Sequence, residues 1–163
     1  MTSSSPSRPA LNDPAVLIAT WGGAGYLPKA PGTWGSLLAL PFAFLIAILG
    51  GGLALFAAAL LAFAVGLWAS GKYLAKAGTD DPSEIVIDEV AALWLVLAFA
   101  PPNLIGWLVG FVIFRFLDIK KIWPINYVEQ RFSGAWGVML DDVVAAGYLI
   151  IIFVFTTLVA GLF

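Results

Sequence analysis

Asp81, Glu84, Asp88 and Glu89 crowd into nine residues, Arg115, Asp118 and Lys121 follow at near-helical spacing, and Asp141 and Asp142 stand side by side. On a helix that begins near Ser83, Glu84 and Asp88 share one face and Glu89 lies about 100° round it. Like charges so placed repel, by a few tenths of a kcal/mol on an exposed helix and by more in an apolar setting. A divalent cation is the natural partner to offset that repulsion. An acidic first turn that complements the helix dipole is the simpler account of Glu84. It serves Asp88 and Glu89 poorly, because they run straight into Val-Ala-Ala-Leu-Trp-Leu-Val-Leu. Asp118 falls near a helix C-terminus, where an acid opposes the dipole and needs a metal or an arginine; an Arg115–Asp118 ion pair is the structural rival. Of Asp141 and Asp142, one suits an N-cap or first turn and at least one should face other helices. The Gly/Pro-rich stretch 22–36 offers Lys29, Thr33 and Ser36 as donors beside a helix N-terminus, a setting that favours anions. It is not a P-loop, since the Gly-Lys-Ser/Thr ending is absent.

The chain has neither cysteine nor histidine. Disulfides, thiolate sites, cysteine-nucleophile and histidine-based phosphatases and imidazole-ligated zinc are thereby excluded, and carboxylates remain as hard-metal ligands. Carboxylates, a few cations and a helix N-terminus form the inventory of a site for Mg²⁺ and phosphate. Metal ions neutralise phosphoryl oxygens and activate water while Lys or Arg stabilises the remaining charge. Alternatively, an Asp attacks phosphorus and forms an aspartyl-phosphate. Both routes stay open at this point. A net charge of −2 with no basic run gives no sign of nucleic-acid binding.

The elements that must position these groups are apolar. Of 163 residues, 61% are hydrophobic and 11% charged, against about 45–50% and about 25% in soluble domains. An all-α, polytopic membrane bundle follows, with about five apolar helices, some of them short or partial spans. The expected helices run from about Trp34 to Leu49, capped by Thr33 and open to a kink at Pro41; from Leu53 to Tyr73 or a little beyond; from Ser83 to Ala100; from Leu104 to Lys121; and from Leu140 to Leu162. Residues 1–13 read as a flexible polar tail and 14–163 as one membrane-embedded domain, with no cleaved signal because Ala15–Ala19 is too short for one. The turns at Gly50–Gly52 and Pro101–Asn103 and the end at Phe163 carry no charged side chain, so every charge falls on the other side. The positive-inside rule places that side in the cytoplasm. The uncharged stretches Val90–Ala100 and Leu104–Phe114 are eleven residues each, about 16 Å of helix against a hydrocarbon core of about 30 Å. Either the bilayer thins there or the charged turns dip to the depth of a lipid phosphate, and the second is the expectation.

Four ordered motifs resemble those of the phosphatidylglycerophosphatase A family over about Ala19 to Gly147: Gly25–Ser36; Asp81 with Ile85–Glu89; Phe114–Lys121 with Trp123–Ile125; and Gly137–Asp142. The resemblance implies an Mg²⁺-dependent phosphatase of the bacterial inner membrane that converts phosphatidylglycerophosphate, an anionic phospholipid, to phosphatidylglycerol and phosphate. It carries over Asp81, Asp88, Glu89, Asp118, Asp141 and Asp142 as metal-side acids, with Asp88, Asp118 and Asp142 the catalytic candidates. Thr33, Arg115 and Lys121 stand on the phosphate side, beside Lys29 from the residue reading. Departures from the family pattern (Ile122, Ala92, Ala146 and the Ala135-Trp136 pair) touch packing and remove no charge. Two rival readings are a cation or proton transporter and a non-catalytic membrane scaffold. Transport needs polar groups near the midplane, and the outer half of each expected helix lacks them. A scaffold has no use for clustered acids at membrane depth.

Overall fold

The computed structural model describes residues 8–79, 82–120, 123, 125, 127 and 131–160, with Ala160 described by its backbone only. Asp81 and Lys121 lie outside the described residues, as do Ile122 and Glu129. Among the described residues the fold is entirely helical: α1 (Pro14–Ala19), a short 3-10 helix (Ala24–Tyr26), α2 (Pro31–Ala77), α3 (Ile87–Phe99), α4 (Leu104–Lys120) and α5 (Gly134–Ala160).

The short α1 was not anticipated. Asp13 caps it, its Oδ1 accepting from the Ala15 and Val16 N–H groups at 2.9 and 3.4 Å, and Pro14 begins it. The Lys76 ammonium is hydrogen-bonded to Asp13 and holds its carboxyl below the usual range. Arg8 pairs with Glu84 at 3.1 Å and stacks over the Tyr26 ring at 5.4 Å, so contacts with the body begin inside the stretch read as a tail.

α2 is continuous except at Gly51, where φ is 67° and ψ −166°, a conformation essentially confined to glycine. The break divides it into two arms, 31–50 and 52–77, at the place the Gly50–Gly52 turn was expected. Pro41 sits within the first arm and leaves its dihedrals helical. The helix begins at Pro31 rather than after Thr33, with Ala30 in the left-handed region as its cap. Both arms lie along α3. In the first, the Ala39 carbonyl accepts from Trp94 Nε1 at 3.0 Å; in the second, Gly52 lies against the Ala98 carbonyl and Gly66 against Met139 and Ile87.

α3 is the centre. Val90, Ala92, Leu93 and Val96 have no exposed surface, as expected of a helix apolar all round. α5 packs along it and α4 packs on both. α3 starts at Ile87 and not at Ser83. The approach 82–86 is drawn instead against the N-terminal elements: the Val86 N–H donates to the Ala19 carbonyl at 2.9 Å, and Gly25 abuts the Glu84 backbone. Glu84 therefore does not share a helical face with Asp88, and the expected i, i+4 pair is absent. α5 likewise begins earlier than Leu140, at Gly134.

α2 and α5 are long and apolar enough to cross a membrane, with mean hydropathy of 2.5 and 2.2 over their best windows. Only 11% and 28% of those windows is buried in the protein, so the apolar surface points outward, Leu49 and Leu53 at the arm junction being 78% and 81% exposed.

Candidate active site

α3 brings its first turn, Asp88 and Glu89, to the end of the molecule where α2 begins and α4 ends. Gly32 and Gly35 make the approach possible. A β-carbon on Gly32 would coincide with the Glu89 carboxylate, and one on Gly35 would sit 2.8 Å from Val86 Cβ and 3.3 Å from Glu89 Oε2. The Glu89 carboxylate thus rests on the first turn of α2, where a helix N-terminus favours negative charge. Lys29 and Ala30, at φ 63° and 50°, carry the chain into that turn through two consecutive left-handed residues, and strain of this kind gathers at functional sites.

Arg115, buried near the end of α4, joins three elements. Its Nη1 lies 2.8 Å from Glu89 Oε1 and 2.8 Å from Asp118 Oδ2, and its Nη2 lies 3.5 Å from Thr33 Oγ1. The Arg115–Asp118 pair named as a rival to a metal role is therefore present, and it extends to Glu89. From α5, Asp141 and Asp142 face the same space; Asp141 Oδ1 accepts from the Asp142 N–H at 2.9 Å, as Asp88 Oδ1 accepts from the Glu89 N–H at 2.9 Å. These short loops back to the main chain fix one oxygen of each leading acid.

Asp88, Glu89, Asp118, Asp141, Asp142, Arg115 and Thr33 line one cavity of about 410 Å³. Glu89 Oε2, Asp142 Oδ2 and Arg115 Nε are buried without a hydrogen-bond partner, and an orphaned buried carboxylate oxygen is costly unless a ligand or ion meets it. The donor set is all oxygen and anionic, the preference of a hard divalent cation. The acids surround the space without closing on it, since among the described residues no three of them form a ready metal cage.

Sequence reasoning and geometry part at two positions. Lys29 is exposed and does not line the cavity, and Glu84 is engaged by Arg8 outside it. Pro82, Ser83 and Ile85 line the cavity but were read as loop and helix start. The polar Pro-Ser step just ahead of an apolar run was the one signal for them.

Residues 17–157 match the family model described as Phosphatidylglycerophosphatase A. The chain is 37% identical to the Escherichia coli protein of that name over 140 residues, 85% of this chain and 81% of the relative. It is 37% identical to the Haemophilus influenzae protein of that name over 155 residues, 93% and 94%. A Bacteroides thetaiotaomicron relative, provisionally named a phosphatidylinositol-3-phosphatase, is 37% identical over 160 residues, 90% and 95%. No solved structure matches.

Proposed function

Because the chain belongs to the phosphatidylglycerophosphatase A family and is a phosphatase, we propose that it releases phosphate from phosphatidylglycerophosphate with Mg²⁺, at the cytoplasmic face of a bacterial inner membrane, as a step in phosphatidylglycerol synthesis. One observation carries the reading: five carboxylates from α3, α4 and α5 share a cavity with Arg115 and the first turn of α2. The transporter and scaffold alternatives have no comparable use for that arrangement.

Thr33 and the Arg115 guanidinium bind the phosphoryl oxygens. Arg115 is held in place by Glu89 and Asp118 at 2.8 Å each, which leaves Nη2 and the unpartnered Nε for the substrate. A planar guanidinium suits phosphate because its donors match two oxygens at once. Mg²⁺, held by Asp88, Glu89, Asp118, Asp141 and Asp142, with Asp81 assigned by family resemblance, would neutralise the phosphoryl charge and acidify the attacking water. Asp88, Asp118 and Asp142 are the candidates for bond making. Either one of their oxygens attacks phosphorus as the bond from phosphorus to the glycerol oxygen breaks, and water then hydrolyses the aspartyl-phosphate, or one takes the proton of a water that attacks phosphorus as that same bond breaks. In both, the leaving glycerol oxygen takes up a proton. Lys29, exposed ahead of α2, draws the anionic headgroup in, as does Lys121, assigned by family resemblance.

The test is phosphate release by purified protein in detergent. Phosphatidylglycerophosphate should be hydrolysed with Mg²⁺, hydrolysis should stop with EDTA, and excess Mg²⁺ should restore it. Phosphatidylinositol 3-phosphate belongs in the same assay, given the name of the Bacteroides relative. Release that persists unchanged in EDTA would remove the metal from the reading.

A further inference from the structure

We propose that the crevice between the first arm of α2 and α4 is the acyl-chain subsite of the lipid substrate, ending in the apolar cavity between Phe44 and Trp107. The inference rests on the phosphatase reading above, and deepens it by naming what holds the rest of the lipid.

α4 packs on α3 and α5, and the first arm of α2 packs on α3, so α3 is a neighbour of both helices. They meet at both ends of the crevice. At the site end, Arg115 Nη2 lies 3.5 Å from Thr33 Oγ1. At the far end, the Phe44 and Trp107 rings touch edge to face at 6.2 Å between centroids. The residues between follow helical stripes: Arg115, Phe111 and Trp107 recur at every fourth position on α4, and Thr33, Leu40 and Phe44 lie at i, i+7 and i+11 on α2. Each stripe is therefore continuous from the phosphate-binding end to the apolar end, a run of about 12 Å on α4 and about 16 Å on α2. Beyond Arg115 the α4 stripe is apolar, and beyond Ser36 so is the α2 stripe.

The far end opens into a cavity of about 370 Å³ lined by Phe44, Ala47, Trp107 and their neighbours. Its chemistry is the opposite of the carboxylate cavity, and the two stripes run from one to the other. A ligand with a phosphate at one end and a hydrocarbon chain at the other fits that polarity, and the substrate of a lipid phosphatase is such a ligand. Another lipid resting against the outside of the helices would fill the same surface without reference to the site, and the experiment separates the two.

Ala47→Phe fills the cavity and Phe44→Ala removes the ring that closes it; neither residue touches the carboxylate site. Kinetics are compared on phosphatidylglycerophosphate with sixteen-carbon and with six-carbon chains, the shorter being too short to reach Ala47. Ala47→Phe should raise KM for the long-chain substrate by about tenfold and leave kcat/KM for the short one within about twofold, the pattern of lost binding remote from the reacting atoms. Phe44→Ala should raise the long-chain KM alone, by about fivefold. Equal effects on both substrates, or none on either, overturn the subsite. If Ala47→Phe is inactive on both, Phe44→Ala decides by the same criterion. Wild-type protein inactive on both chain lengths overturns the phosphatase reading and this inference with it, whereas active wild type with non-selective variants overturns this inference alone.

Discussion

Among the described residues Arg115 is the one cation that lines the cavity with five acids, and it is in direct contact with Glu89 and Asp118. Asp142 receives no such partner for its Oδ2, which is buried without a hydrogen bond. The site therefore gathers more negative charge than it neutralises, and an uncompensated buried charge destabilises a fold. Asp142→Asn should accordingly lower kcat by about 10²–10⁴-fold, the range for loss of an acid–base or electrostatic group. Its melting temperature in EDTA should equal or exceed that of wild type. Mg²⁺ should raise the wild-type melting temperature, by the equivalent of about 2.7 kcal/mol at a hundred times Kd, and should raise that of the variant less. A variant that melts lower in EDTA and remains active would remove Asp142 from the charged cluster. Arg115→Lys keeps the charge but cannot span Glu89, Asp118 and Thr33 together, so it should lose activity about 10-fold or more while Asp118 keeps a cation within reach. At this scale the sequence was informative where an acid runs straight into apolar residues, as at Asp88, Glu89 and Asp142. It misled at Glu84, because which way a flanking charge turns depends on partners far along the chain; Arg8 engages Glu84 from 76 positions away.

Two glycines of α2 illustrate how an element positions the site. Gly32 is needed for space, because the Glu89 carboxylate occupies the place of its missing side chain. Gly51 is needed for its backbone, at φ 67° and ψ −166°, where nothing crowds a side chain. Gly32→Ala should therefore displace Glu89 and cut activity by about tenfold or more. Gly51→Ala should lower stability by about 1–3 kcal/mol, the cost of a backbone held in a glycine-only region, with activity at 25 °C largely retained. Thermal unfolding in detergent and phosphate release distinguish the pair; equal activity loss in both would mean that the arm junction, not the Glu89 seat, controls the site. The glycine and proline turns at Gly50–Gly52 and Pro101–Asn103 were legible because local backbone chemistry alone sets them. The starts of α3 and α5 were not. Residues 82–86 follow the pull of Ala19 and Gly25, and Gly137, which reads as a loop residue, lies inside α5, where it is glycine for space, since a β-carbon there would come within 2.6 Å of the Phe132 carbonyl.

At the scale of the whole molecule the decisive quantity is depth. α3 and α4 contain 13 and 17 residues, about 20 Å and about 26 Å of helix, short of a hydrocarbon core of about 30 Å. If the Pro101–Asn103 turn reaches the outer surface, Asp88 and Arg115, about 18 Å away along their helices, must lie inside the hydrocarbon core of about 30 Å, deeper than the lipid phosphates. If the carboxylates are level with the inner surface, the turn must stop within the bilayer. The chain has no cysteine, so single cysteines report position without background. Asn103→Cys should react with a membrane-impermeant maleimide in intact cells, and Lys72→Cys, on the charged side at the end of the second arm, should react only after the cells are opened. The reverse pattern would put the carboxylates outside and contradict the cytoplasmic orientation. Failure of Asn103→Cys to react in either preparation, with Lys72→Cys reacting on opening, would make α3 and α4 a hairpin that turns back inside the membrane. A sunken site and a re-entrant hairpin demand different routes for the headgroup: the first requires the lipid to lean inward along α4, the second lets it meet Arg115 at the surface. The maleimide pattern therefore fixes the crossing of these two helices and the side from which phosphate leaves.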